Sequence, residues 1–146
     1  MNRDEFIKTY TEFVKTASGV AAKARREGLL ALDGDVDREK AAQRDIFHHG
    51  LQFAVDGVAY EIIDKILSNI IAQEKDDYSR TFKTIQKEAV LNIQQGFNLK
   101  ILYYILNSYT DLPIKDDAYC EADFDEAVDE DEAQYEHEEG KYDGET

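Results

Sequence analysis

Apolar residues recur at steps of three and four along most of this chain, and this spacing constrains the fold more than any other feature. The clearest case covers about residues 4–27, where the apolar stripe consists of Phe6, Tyr10, Phe13, Val14, Ala17, Val20, Ala21 and Ala24. Such a stripe is typical of an amphipathic α-helix that buries one face. The 146 residues include one proline and eight glycines, which disfavours a sheet of short strands joined by tight turns.

The same spacing predicts four further helices. They cover about residues 37–55, 60–75, 77–95 and, after Gly96, a strongly apolar segment that ends near residue 108. Gly50 lies inside the second of these predicted helices, where it indicates either close packing or a kink. The sequence therefore predicts an all-α fold, a small bundle of about five helices formed by residues 1–114.

Charge divides the chain into two unlike parts. Residues 115–146 contain 15 acidic and 2 basic side chains, whereas the preceding residues contain 17 acidic and 15 basic ones. In blocks of like charge such as residues 129–132 the side chains repel one another, and they provide little apolar surface for a core. Residues 115–146 are therefore predicted to be a disordered acidic tail. Aromatic residues interspersed among the acids leave two interpretations open: a solubilising tail, or a short motif that orders on a basic partner.

Composition excludes several classes of function. A formal charge of −15 is incompatible with a protein that binds nucleic acid by neutralising phosphates, and it disfavours docking on an anionic membrane. A single cysteine excludes a disulfide framework within the chain. The first residues lack the pattern of a secretory signal, so a cytoplasmic location is expected. The longest apolar run, residues 101–106, is far shorter than the ~20 residues of a membrane span, which predicts no membrane insertion.

The sequence contains no recognisable catalytic, nucleotide-binding or metal-binding motif. It contains neither a GxxxxGK[ST] phosphate loop nor a GxGxxG motif. Residues 33–37 alternate acids like the start of a calcium loop, but Arg38 and Arg44 stand where glycine and glutamate are needed. His48 and His49 are neighbours, which point about 100° apart on a helix and cannot bind metal as an i, i+4 pair does. We therefore expect no catalytic residue, no metal site and no cofactor, and a protein that is not an enzyme.

Three ordered segments carry a resemblance to a known family. Residues 24–33, ARREGLLALD, resemble the A-R-x-E-G-L-L-A-L-E segment in the cytoplasmic region of the flagellar stator protein MotA. Residues 45–57 are similar to that family's pattern of an aromatic, a Gly-Leu pair and then V-D-G. Residues 61–67 are similar to the helix that follows V-D-G. The similarity covers about residues 13–80.

The resemblance implies a set of partner-binding residues. In the family, a basic residue of the A-R segment and the acid that closes L-L-A-L-E contact charged groups on the rotor protein FliG. The matching positions here are Arg25, with Arg26 beside it, and Asp33. Arg25 and Asp33 also suit helix capping, and that interpretation remains open. The family's membrane helices have no counterpart, so the resemblance implies a free-standing cytoplasmic stator-like domain without an ion pathway, positioned at the cytoplasmic face of the motor.

Two functional hypotheses of different class follow. The first is a non-enzymatic interaction protein that binds rotor or stator components and tunes motor assembly or engagement. The alternative is an acidic-tailed cytoplasmic adaptor, regulatory or chaperone-like, that masks a basic partner and is unrelated to motility. A small helical enzyme is the weakest hypothesis, because no nucleophile-and-base pair can be named.

Overall fold

The computed structural model describes residues 1–115, and every regular element within them is helical. The elements are α1 (Arg3–Glu27), a 3₁₀ segment (Leu29–Asp35), α2 (Arg38–Ala42), α3 (Ile46–Val55), α4 (Tyr60–Ile71), α5 (Asp77–Gln95) and α6 (Leu99–Asn107). The predicted all-α fold is confirmed, with six α-helices in the described residues rather than about five. The predicted disordered tail lies outside the described residues, apart from its first residue.

Polar side chains at the helix starts explain why several boundaries match the sequence-based ones. At α1, the Asn2 side chain accepts a hydrogen bond from the Glu5 N–H, and the Glu5 carboxylate accepts one from the Asn2 N–H, both at 2.8 Å. This reciprocal pair satisfies two amide groups that the helix itself leaves unpaired. Side-chain caps of the simpler kind begin four more helices, at Asp37, Asp45, Asp76 and Asn98.

The predicted helix over residues 37–55 is in fact two helices, α2 and α3. Arg44 adopts a left-handed backbone conformation with φ 67°, which interrupts the helix. Directly after it, the Asp45 carboxylate accepts a hydrogen bond from the His48 N–H at 3.0 Å and caps the new helix. Apolar residues occur at helical spacing on both sides of this break, so periodicity alone did not reveal it.

Helix α5 lies at the centre of the bundle and contacts α1, α3, α4 and α6. It runs parallel to α1, because the amino group of Met1 lies 3.4 Å from Asp76 Oδ1 at one end, and Arg25 reaches Gly96 at the other. Helix α6 runs back along both of them, and the Arg3 guanidinium, 3.0 Å from Asp111 Oδ1, ties the chain after α6 to the start of α1.

Gly50 marks close packing, one of its two predicted meanings. A Cβ atom built on it would lie 2.9 Å from Val90 Cγ2 of α5 and 3.0 Å from Leu67 Cδ1 of α4. Both neighbours are fully buried. The missing side chain therefore lets α3 approach α4 and α5 more closely than any other residue would allow.

Helix α6 has two apolar faces with different surroundings. Leu102, Tyr103 and Leu106 are buried against the bundle, whereas Ile101 and Tyr104 are exposed. The helix thus closes the core with one side and leaves the other uncovered within residues 1–115. Among the described residues, none of the helices combines the length and the apolar character that a membrane span requires.

Candidate functional site

The segment of residues 24–33 forms a corner of the bundle, made by the last turn of α1 and the start of the 3₁₀ segment. Gly28, with φ 92°, turns the chain at this corner. Leu32 is fully buried and Leu29 is half-buried, and these two side chains attach the segment to the core. Leu30 is 77% exposed, the most exposed large apolar side chain of the described residues.

Arg25 joins two helices at this corner. Its Nη1 donates a hydrogen bond to the carbonyl oxygen of Gly96, at 2.6 Å, just past the end of α5. The end of its own helix is closed instead by the Gly28 N–H, which donates to Ala24. The capping interpretation of Arg25 is therefore correct in kind, but the helix whose end it stabilises is α5 and not α1.

Arg26 and Asp33 lie on the same corner, with side chains that are 28% and 57% exposed. The Arg26 guanidinium lies 3.4 Å from the Glu27 carboxylate. Asp33 Oδ1 accepts a hydrogen bond from Arg38 Nη2 at 2.6 Å, and both of these side chains remain more than half exposed. The idea that Asp33 caps the next helix is wrong, because Asp37 occupies the N-cap position of α2.

A hydrogen-bonded network behind Asp33 was not found by sequence reasoning. Arg38 also donates to the Gln52 side chain, and Gln52 in turn donates to Asp56 Oδ1 at 3.0 Å. This network connects the 3₁₀ segment, α2 and α3, and fixes the direction in which Asp33 points. An Arg five residues after an Asp is no recognisable signal, since the contact depends on how the loop between them folds.

The acids that resemble the start of a calcium loop each have a protein partner. Asp33 binds Arg38, Asp37 caps α2, and Asp35 Oδ2 lies 2.9 Å from Lys23 Nζ. The hydrogen bond to Asp35 raises the pKa of Lys23 above its usual range. Across residues 1–115, no three His, Cys, Asp or Glu side chains form a group that could hold a metal ion.

The two histidines face different surroundings. His48 Nδ1 accepts a hydrogen bond from the Asp37 N–H at 3.0 Å and so links α3 to the start of α2. The His49 ring packs against Phe53, with ring centroids 4.5 Å apart. Burial lowers the pKa of His49, and the nearby positive charge of Arg44 lowers it further. Each ring thus has a local packing partner, and the two do not converge on one point.

The corner can recognise a partner by charge and shape. Leu30 and Asp33 are exposed and Arg26 is partly exposed on a backbone that is anchored by the buried Leu32, the half-buried Leu29 and two ion pairs, so an incoming protein meets a surface that is already ordered. No family model, no curated protein and no solved structure matches this chain.

Proposed function

We propose that this protein is a non-enzymatic interaction protein of the flagellar motor. It binds rotor or stator components through a surface formed by Arg26, Leu30 and Asp33, which we call the corner surface. The observation that carries the proposal is that the segment resembling the stator motif, residues 24–33, is exposed and charged and yet anchored in the core at Leu32.

The chemistry of the corner surface suits docking between proteins. Exposed charges of both signs orient a partner and speed its association, although they add little to affinity in water. Leu30 supplies exposed apolar area to the same corner, and an apolar centre with a polar rim is the usual composition of an interface between proteins. Because Arg38 already pairs with Asp33, a cationic group of the partner would bind Asp33 alongside Arg38 or displace Arg38 from it.

The cellular test is to localise the tagged full-length protein in motile cells and to score swimming after deletion of its gene. The proposal predicts foci at the flagellar bases and a change in motility. A diffuse signal together with normal swimming would contradict it.

The binding test uses charge reversal on exposed side chains. Arg26→Glu and Asp33→Lys are expected to weaken capture of rotor or stator proteins at least tenfold, while circular dichroism shows an unchanged fold. Lys65→Glu, an exposed charge reversal on α4, is the matched control and should bind like the original chain. Equal binding by all three variants would exclude the corner surface as the docking site.

The second candidate function is that of an adaptor that masks a basic partner. The observation in its favour is the concentration of 15 acidic side chains in residues 115–146. If this function is correct, capture of a basic partner from a cell extract will be lost when residues 116–146 are removed and will weaken steeply with salt. Unchanged capture would contradict it and leave the corner surface as the candidate.

A further inference from the structure

We propose that residues 116–146 bind back onto the same chain, at the outer face of α6 and the basic residues beside it. We use the term outer face for Ile101 and Tyr104 on the exposed side of α6 together with Phe97, which just precedes the helix. The basic residues are Arg25 and Arg26 at the end of α1 and Lys100 in the first turn of α6. This inference does not rest on the flagellar proposal, although both assign a role to Arg26.

The outer face is an unpartnered apolar strip. Phe97 is 45% exposed, and Ile101 and Tyr104 are each 42% exposed. Ile101 and Tyr104, three residues apart, lie on one side of α6, opposite the side that packs into the core, and Phe97 stands just before the N-cap residue Asn98. Single exposed apolar residues are normal on a protein surface, but two on one side of a nine-residue helix and a third just before its start favour a binding partner.

The size of the strip decides between two occupants. A large apolar side chain presents about 200 Å² when fully exposed, so three side chains exposed to less than half offer on the order of 250 Å². A standard interface between two folded proteins buries about 800 Å² on each partner. A second copy packed on this strip alone would be held weakly, whereas a short chain segment needs only an area of this size.

Charge favours an acidic segment as that occupant. No acidic residue occurs between residues 89 and 110, although the chain contains 32 of them, and Lys100 in this stretch is exposed. Arg25 and Arg26 lie at the adjoining end of α1, since Arg25 contacts the carbonyl oxygen of Gly96 next to Phe97. The segment 116–146 combines the complementary charges with apolar side chains that can pack on the strip, namely Tyr119, Phe124, Val128, Tyr135 and Tyr142.

The described chain ends beside α6, within reach of the outer face. The Lys115 N–H donates a hydrogen bond to the hydroxyl oxygen of Tyr103, a residue on the buried side of α6, at 2.9 Å, so Lys115, the last described residue, lies next to this helix. Helix α6 is about 14 Å long, whereas a flexible chain of 18 residues spans roughly 25 Å. Attachment at this point gives an effective concentration on the order of millimolar, at which individually weak contacts suffice for binding.

Paramagnetic NMR on the full chain tests the proposal. Cys120 is the sole cysteine, so Cys120→Ser combined with Ala133→Cys provides one attachment site for a nitroxide without changing the charge. The label should broaden the amide signals of residues 97–104 far more than those of the outer face of α4 around Ile62. Adding Arg26→Glu and Lys100→Glu should at least halve this broadening, whereas adding Lys65→Glu should leave it unchanged.

Two outcomes would overturn the proposal. If the paired charge reversals change the broadening no more than Lys65→Glu does, the effect comes only from the attachment of the segment near α6. If broadening of residues 97–104 appears only when the labelled and the observed chains are different molecules, the occupant is a second copy. A fall in broadening at 1 M salt, where charges are screened within about 3 Å, would support the charge complementarity.

Discussion

The close packing of α3 against α4 and α5 requires the absence of a side chain at Gly50. Substitution by alanine would place a methyl group 2.9 Å from Val90 Cγ2, and the β-branched, buried Val90 has little freedom to move away. We expect Gly50→Ala to lower the free energy of unfolding by about 1–3 kcal/mol, although alanine is the better helix former. Urea denaturation measures this.

The control for Gly50 is Gly34, where a Cβ would meet no atom within 4 Å. Gly34→Ala should leave stability nearly unchanged. If the loss at Gly50 arises from the contact with Val90, the effects of Gly50→Ala and Val90→Ala will not add, and the double variant will be more stable than their sum predicts. Strict additivity would show that the contact is not the cause.

Arg25 offers a second prediction at this scale, because it binds a carbonyl of another helix while remaining exposed. Removing one such hydrogen bond costs about 0.5–1.5 kcal/mol, so Arg25→Ala should be modestly destabilising in thermal or urea unfolding. Lys65→Ala, which removes an exposed cation on α4, should change stability by less than about 0.5 kcal/mol. If the two variants were equally stable, the bond between α1 and α5 would contribute nothing measurable.

Among the elements, α5 contributes most to the core, because it is in contact with four other helices. Ile85 at its middle is fully buried, so Ile85→Ala should cost about 2–5 kcal/mol of unfolding free energy. Ile66 on α4 also follows helical spacing but is only half-buried, and its replacement by alanine should cost clearly less. A larger loss at Ile66 than at Ile85 would contradict the central position of α5.

For the whole molecule, acid should weaken the fold. Three carboxyl groups, one on α4, one in the turn after it and one at the N-cap of α5, have pKa values below their usual range. The pKa of Asp64 is lowered by its hydrogen bond from Lys87, that of Glu74 by Lys83, and that of Asp76 by the Ser79 N–H. At a pH near the ordinary carboxyl pKa values, the unfolded chain therefore binds more protons than the folded chain. The stability that these groups contribute is lost as pH falls below about 4.5.

Protonation of His49 should cause a separate loss of stability at higher pH. Burial lowers its pKa below the ordinary 6.5, so the folded chain resists a proton that the unfolded chain accepts, and stability falls as pH drops through that value. Urea unfolding between pH 7 and pH 3 should show both losses, and His49→Gln should remove only the upper one. Stability that stayed constant or rose on acidification would contradict the direction of these shifts.

What could be predicted from the sequence is what depends on residues close together along the chain. Periodicity and side-chain caps act within one or two turns, so the all-α class was predicted, and so were the bounds of α5 and nearly those of α1. The charge and position of Arg25, Arg26 and Asp33 were also apparent, as residues of a helix end and the turn after it. The break at Arg44 was not predicted, since a left-handed residue leaves the apolar spacing on either side unchanged.

Only the tertiary structure decided which of these residues meet. Arg25 binds Gly96, 71 positions away, and Gly50 lies against Val90, because packing of the apolar stripes brings distant parts of the chain together. The same packing buries one side of α6 and leaves Phe97, Ile101 and Tyr104 exposed, although both sides are apolar in sequence. Local propensity determines which segments are helical, but competition among their apolar faces for a limited core determines which surface remains for a partner.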